Sequence, residues 1–226
     1  MKNVLVTGAN GFIGKHLISK ILDSKKYHVI KVDRNYGDIC IEGTWKKLPA
    51  CEIVIHLAGK TFVPDSWKFP QKFIDTNVNS TIQALNYCKK NSSKLIFLSS
   101  YLYGNPKKVP ISENTIVDPT NPYTLSKKIA EDICKFYSEK FRVKTLILRP
   151  FNVYGKNQKE IFLIPSIIKQ INLLKEINVK DLKPKRDFIY IKDLVEAIIK
   201  TLNLEKSFEI INIASGLSYS VEEVIS

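Results

Sequence analysis

Tyr123-Thr124-Leu125-Ser126-Lys127 sets a phenol and an ammonium four residues apart. On a helix that spacing puts both groups on one face. A free tyrosine titrates near 10, and a cation within about 4–6 Å favours the phenolate and can lower that value by one to three units. The pair therefore reads as a general acid/base that works near neutral pH. Ser99 closes the apolar run Lys94-Leu95-Ile96-Phe97-Leu98. A hydroxyl at a strand's carboxyl end can hydrogen-bond the substrate oxygen whose proton the tyrosine moves. A Tyr-x-x-x-Lys spacing is common by chance, so it gains meaning only with elements that bring Ser99 beside it.

Those elements begin at the amino end. Asn3-Val4-Leu5-Val6 reads as a short strand apolar on both faces, and His16-Leu17-Ile18 with Ile21-Leu22 carries helical spacing. Between them lies Thr7-Gly8-Ala9-Asn10-Gly11-Phe12-Ile13-Gly14. One glycine allows the tight turn, one lets a pyrophosphate approach the peptide N–H groups, and one lets helix and strand pack closely. The spacing is G-x-x-G-x-x-G rather than G-x-G-x-x-G, in the strand–turn–helix context such a site needs. The next strand, His28 to Asp33, ends on a carboxylate about 20 residues past the glycines, where it can take both hydroxyls of an adenosine ribose. Asp33 favours NAD. Arg34 could instead pair with the 2′-phosphate of NADP. Asp38 and Ile39 are candidates to line the adenine.

A third strand, Glu52 to Gly59, ends in Leu57-Ala58-Gly59, small enough for a dinucleotide to lie against the backbone. His56 reads as a packed strand residue. Residues 60–70, with Pro64 and Pro70, read as a loop, and Gln71 to Lys90 as one helix in which Asn77 is a candidate contact to the nicotinamide. A helix over 123–140 starts at Asn121-Pro122, and a strand runs from Phe141 to Arg149. Beyond Pro150 come a helix over 161–174, a strand over 185–191, a helix over 192–204 and a strand over 208–213. Alternating strands and helices specify an α/β doubly wound parallel sheet with right-handed crossovers. We divide the chain into a dinucleotide-binding part, 1–150, and a small substrate lobe, 151–226, interleaved with the sheet.

The chain of 226 residues carries a formal charge of +13. Only Arg34, Arg142, Arg149 and Arg186 are arginines, and the lysines are scattered without an arginine cluster or interleaved aromatics. The charge reads as a solvated surface, not as a nucleic-acid footprint. Cys40, Cys51, Cys88 and Cys134 form no C-x-x-C pair and no metal-ligand spacing, as expected of free thiols in a reducing cytoplasm. No apolar run approaches the ~20 residues of a membrane span, and a strand that begins at residue 3 leaves no room for a signal peptide.

These motifs resemble the extended short-chain dehydrogenase/reductases, in particular the NAD-dependent epimerase/dehydratase branch that acts on nucleotide sugars. The resemblance runs over nearly the whole chain. It rests on the glycine turn, His56-Leu57-Ala58-Gly59, Asn77-Val78, Ser99-Ser100-x-x-Tyr103-Gly104 and Asn121-Pro122-Tyr123-x-x-Ser126-Lys127. Arg149-Pro150-x-Asn152-Val153-Tyr154-Gly155 and Arg186-Asp187-Phe188-Ile189-Tyr190-Ile191-x-Asp193 complete it. It implies a Rossmann fold with NAD or NADP as cofactor, and a catalytic triad of Ser99, Tyr123 and Lys127, the lysine also holding the nicotinamide ribose. Gly8, Asn10, Gly11, Phe12 and Ile13 would form the cofactor loop, and Pro150 and Phe151 would flank the nicotinamide. Asn152 and Arg186 would hold a sugar-nucleotide diphosphate, to which a guanidinium donates two parallel hydrogen bonds.

Ser100 and Tyr101 stand where the sugar 4,6-dehydratases of that family carry an Asp-Glu pair, which counts against dehydration. The family's members usually continue past the position of Ser226, so a shortened substrate lobe is expected. The expected reaction is hydride transfer at C4 of a nucleotide sugar, as in a UDP-glucose 4-epimerase. A 4-keto-6-deoxy sugar nucleotide reductase and a non-catalytic dinucleotide-binding sensor or scaffold are the alternatives. Family helices matching 71–90 and 123–140 often pair in a four-helix bundle, implying a homodimer. No metal, nucleic acid or membrane is expected.

Overall fold

The computed structural model describes residues 1–106, 108–173 and 176–226. Six strands form one parallel sheet: β1 (Lys2–Thr7), β2 (Tyr27–Val32), β3 (Ile53–His56), β4 (Lys94–Leu98), β5 (Thr145–Pro150) and β8 (Phe208–Ile213). Their order is β2-β1-β3-β4-β5-β8, every pair parallel. All residues of β3, β4 and β5 are buried. That is why these strands read as continuous apolar runs: helices cover both faces and no face is left for alternation.

One face packs against α1 (Phe12–Ser24) and α8 (Ile191–Thr201), through Val4, Val6, Leu17, Ile21, Ile96, Leu194 and Ile198 among others. The other packs against α2 (Glu42–Lys46), α5 (Ser80–Asn91) and α6 (Pro122–Phe141), through Leu5, Trp45, Leu85, Leu95, Ala130 and Ile147. A doubly wound Rossmann sheet results, as the sequence leads one to expect. A second sheet has three strands, β6 (Asn152–Tyr154), β7 (Lys185–Tyr190) and β9 (Ser218–Ser220); α7 (Leu163–Leu173) lies between β6 and β7 in sequence, and α9 (Val221–Ile225) follows β9 and packs on it. The far pole is closed by Lys94, whose buried ammonium donates to the carbonyls of Thr201, Leu202 and Leu204 and so caps the end of α8.

The segment 60–90 departs from the sequence reading. The expected loop 60–70 contains α3 (Val63–Lys68), and the expected single helix 71–90 is α4 (Pro70–Ile74), a π-helical turn over Asp75–Asn79, then α5. Pro64 and Pro70 were read as loop residues, yet each occupies the first turn of a helix. There the missing N–H costs nothing. The π turn rotates Asn77 inward, so it is neither a surface asparagine nor part of a regular apolar stripe: it is 1% exposed. The expected 161–174 helix is α7; residue 174 lies outside the described residues. The expected strand 141–149 is shorter, because α6 runs on to Phe141.

Candidate active site

In a parallel sheet all carboxyl ends open on one edge, and here the ends of β1, β3, β4 and β5 deliver the glycine turn, Leu57-Ala58-Gly59, Ser99 and Pro150-Phe151 to it. Gly8 has φ +68°, and a Cβ there would meet the Ala58 nitrogen at 2.9 Å. A Cβ on Gly14 would collide with the Gly8 and Ala9 carbonyls. The turn is thus built for a backbone that approaches its neighbours closely. Thr7 locks it to β3: its hydroxyl bonds His56 Nδ1 at 2.8 Å and accepts from the Ala58 N–H at 3.2 Å. His56 Nε2 meets the Ser80 hydroxyl at 3.2 Å. Burial, and secondarily the charge of Lys127, pushes the imidazole down to about 3, so His56 is a neutral strut, in line with its packed reading.

Asp33 follows β2, accepts a hydrogen bond from Asn10 Nδ2 and caps the short 3₁₀ turn Arg34–Tyr36 through the Asn35 N–H. Its carboxylate therefore faces the glycine turn, while Arg34 is exposed. Asp38 caps the Cys40 N–H, its carbonyl takes the Thr44 hydroxyl, and the Ile39 carbonyl takes the Trp45 indole N–H. That fixes the chain past the expected adenine edge. Phe12 and Ile13 open α1 and pack against the core from its half-buried side.

Tyr123, Ser126 and Lys127 lie on the buried face of α6. The helix starts where it does because Asn121 forms a reciprocal capping box with Thr124 and Pro122 sits in the first turn. Such a cap contributes about 1 kcal/mol and sets the rotation that aims Tyr123 and Lys127 at the sheet edge. Lys127 Nζ donates to the Leu98 carbonyl at 2.8 Å and lies 4.6 Å from the centre of the Phe97 ring. Burial lowers its ammonium to about 8.

The Tyr123 phenol behaves differently from the sequence expectation. Burial pushes it up from its usual value, partly offset by the hydrogen bond with the Ser100 hydroxyl, because a dry surrounding disfavours the charged phenolate. Ser99 is 4% exposed, and its Oγ has no hydrogen-bond partner among the described residues. A buried hydroxyl without a partner costs about 1–3 kcal/mol, and it points to a ligand atom that would complete it.

Asn77 does not aim a free amide at the crevice. Its Oδ1 accepts from the Lys60 N–H at 2.8 Å, and its Nδ2 donates to the Lys60 carbonyl and to the Ser126 hydroxyl, at 3.1 and 2.8 Å. These bonds pin Lys60 to α6, while Oδ1 keeps a second lone pair and lies 2.8 Å from where a Cβ on Gly59 would stand. Pro150 ends β5, and the Phe151 ring packs edge-on to Tyr101 at 5.1 Å. Asn152 Nδ2 donates to the Asp187 carbonyl at 3.0 Å, tying β6 to β7, and Arg186 is exposed on β7, close enough to Tyr101 to favour its ionised form.

Three residues that the sequence left without a role complete the surroundings. Glu131 and Arg149 form a bidentate ion pair at 3% and 4% exposure, and Arg149 also donates to Tyr103 Oη at 2.8 Å. The sequence signal was present in part, since Glu131 is four residues past Lys127 on the face that also carries Ala130 and Cys134. Its partner on β5 was not legible locally. The cysteines are all free, and no cluster of His, Cys, Asp or Glu suited to a metal occurs among the described residues. No helix of the described residues is long and apolar enough to cross a membrane.

Fold and site together define an α/β dinucleotide-binding protein with a buried Ser–Tyr–Lys set at the sheet's carboxyl edge. Residues 4–214 match the NAD dependent epimerase/dehydratase family, and the chain belongs to that family. It is 31% identical to the GDP-6-deoxy-D-mannose reductase of Pseudomonas aeruginosa, over 99% of this chain and 78% of that protein. It is 34% identical to a putative UDP-glucose 4-epimerase of Methanocaldococcus jannaschii, over 98% of this chain and 79% of that one. The solved structure of Pseudomonas aeruginosa RMD complexed with NADPH superposes with a TM-score of 0.91 at 30% identity, covering 100% of this chain and 82% of that one. The chain is thus an extended short-chain dehydrogenase/reductase, an enzyme of a family of nucleotide-sugar epimerases, dehydratases and reductases.

Proposed function

We propose that the protein oxidises and re-reduces C4 of a nucleotide-diphosphate sugar, acting as a 4-epimerase with NAD. The observation that carries this reading is the Ser99 hydroxyl, buried, without a partner among the described residues, at the sheet edge against which α6 sets Tyr123 and Lys127. The glycine turn, where a Cβ would fill the space, fits a pyrophosphate. Gly8, Asn10, Gly11, Phe12 and Ile13 hold it, Asp33 takes the ribose hydroxyls, and Leu57, Ala58, Gly59, Pro150 and Phe151 line the remainder. When bound, the nicotinamide accepts a hydride from the sugar carbon and returns it.

This chain's residues do the rest. Ser99 donates a hydrogen bond to the sugar oxygen. Tyr123 takes that oxygen's proton and gives it back. Lys127, charged, lowers the cost of the phenolate once its other donors are used on the ribose. Asn152 and Arg186 hold the diphosphate. Ser100 and Tyr101 offer no carboxylate for eliminating water, which argues against a dehydratase. We assign 1–150 to the cofactor and 151–226 to the sugar nucleotide, the working unit being a cytoplasmic homodimer.

A second reading, an NADPH-dependent 4-keto-6-deoxy nucleotide-sugar reductase, is favoured by exposed Arg34 beside Asp33 and by the likeness to the Pseudomonas reductase. Mass spectrometry of nucleotide released from freshly purified, denatured protein separates the two. Near-stoichiometric NAD supports the epimerase, which recycles its cofactor in place. Empty protein that takes up NADPH from solution supports the reductase, and binding of neither overturns both.

A further inference from the structure

We propose that the buried Glu131–Arg149 pair is the positioning device of the reactive set, with Glu131 as the counter-charge of Lys127 and Arg149 as the brace that ties it to the Ser99 segment. The proposal rests on the reading of Ser99, Tyr123 and Lys127 given above. Tyr123, Lys127 and Glu131 stand at i, i+4 and i+8 on α6, so they form one stripe of phenol, ammonium and carboxylate.

Lys127 Nζ has three protons and a single protein acceptor among the described residues, the Leu98 carbonyl. The groups that face it from each packed element are few. His56 on β3 is neutral, Phe97 on β4 offers a ring face, and the Asn77 amide of the π turn carries no charge. On its own helix lie Tyr123, Cys134 and Glu131. Burial pushes the phenol of Tyr123 and the thiol of Cys134 up, so both stay neutral at ordinary pH. Glu131 is the remaining anion, and its charge works in favour of the ammonium.

Arg149 holds the Glu131 carboxylate from both sides, with Nε donating to Oε1 at 3.0 Å and Nη2 to Oε2. Burial works against the guanidinium, but its bonds to Glu131 and Tyr103 outweigh that and hold it charged. Nη1 reaches Tyr103 Oη, which donates to Asn212 Oδ1 at 2.6 Å on β8. Asn212 in turn donates from its N–H to Glu113 and from its Nδ2 to the Ile111 carbonyl. The network therefore joins the catalytic helix, the strand leading to Phe151, the segment after Ser99 and the sheet's last strand. A buried pair is a poor device for stability, since apolar residues of like volume often serve as well. Its place beside Lys127 gives it another use.

The test is the titration of Lys127, followed by NMR of protein labelled with lysine at Cε and assigned with Lys127→Met, without substrate. In Glu131→Gln/Arg149→Gln the Lys127 value falls by about one unit. At pH 8 that cuts the charged fraction, and with it turnover, about fivefold, while at pH 6 turnover stays near wild type. Glu131→Asp restores both. If the double variant does not fold, Glu131→Leu/Arg149→Met carries the same measurement. A Lys127 titration unchanged in either folded double variant overturns the proposal, whatever the turnover. A shifted titration in a protein inert toward every nucleotide sugar supports the pairing and counts against the reaction reading alone.

Discussion

At the scale of single residues, the chemistry comes down to one phenol whose proton must leave a dry place. Burial holds Tyr123 above its usual value and Lys127 at about 8, so the ligand-free site is not yet a base. On the function proposed above, it becomes one when ligands occupy the lysine's other donors and the substrate oxygen meets Ser99. Tyr123→Phe should therefore lower turnover by about 10²–10⁴-fold, the usual range for a general acid/base, while the dissociation constant for NAD(H), read by fluorescence, stays within a few-fold of wild type. If turnover survives, the acid/base assignment fails. Ser99→Ala removes a hydroxyl that nothing among the described residues satisfies. It should leave thermal stability unchanged or slightly raised and lower kcat, and a large loss of stability would mean that the hydroxyl serves the fold instead.

At the scale of elements, the turn between β1 and α1 has no spare space. Gly14→Ala places a methyl on the Gly8 and Ala9 carbonyls, so helix and strand must separate. We expect a drop of several degrees in Tm together with weaker cofactor binding, and calorimetry with and without NAD reads both.

This turn, the strands and α6 were legible in the sequence because their signals are local: glycine spacing, apolar runs, an Asn-Pro start. The stretch 60–79 was not. Pro64 and Pro70 mark loops and first helical turns alike, and a π turn leaves no residue pattern of its own, so the bonds of the Asn77 amide to Lys60 and Ser126 could not be read. The Ser–Tyr–Lys set was legible because parallel strands share an edge. The Glu131–Arg149 pair was not, since it joins a helix to a strand with no local sign of the contact. Even the direction of the tyrosine's titration was misread, because the sequence gives the cation's presence but not the dryness around it.

At the scale of the whole molecule, buried neutral His56 links acid conditions to stability. Its native value is near 3 and its unfolded value near 6.5, so between these pH values the unfolded chain binds the extra proton. Stability is full above about 6.5 and falls by roughly 1.4 kcal/mol per pH unit as the pH drops below it, down toward 3. His56→Gln, which keeps polar atoms near Thr7 and Ser80, should be less stable at pH 7 yet lose less between pH 7 and 5 in urea titrations. An equal loss would show that other groups dominate.

The proposed dimer is argued at the same scale. A shallow, mainly apolar groove of about 430 Å³ runs along α5 and α6, lined by Ile82, Ile129, Ile133, Phe136 and Tyr137 with Asp132 among them, and Leu125 is exposed on the same helix α6. Light scattering at micromolar concentration should give twice the chain mass, and Ile133→Asp should give the monomer; a wild-type monomer refutes the dimer.

One more consequence follows from β8. It pairs with β5 along six residues, yet β6 and β7 of the second sheet lie between them in sequence, so the last edge of the main sheet waits for a long excursion of chain to return. Closing a loop grows costlier with its length, by about 0.6 kcal/mol per doubling, and distant parallel pairings form slowly. Of the paired strands in the main sheet, β5 and β8 have the longest connection, residues 151–207, so β8 is placed to arrive last. During that interval β5 is an open, apolar edge. For this chain, the hazard of sticking to its neighbours belongs to the unfinished sheet and to the time taken to complete it.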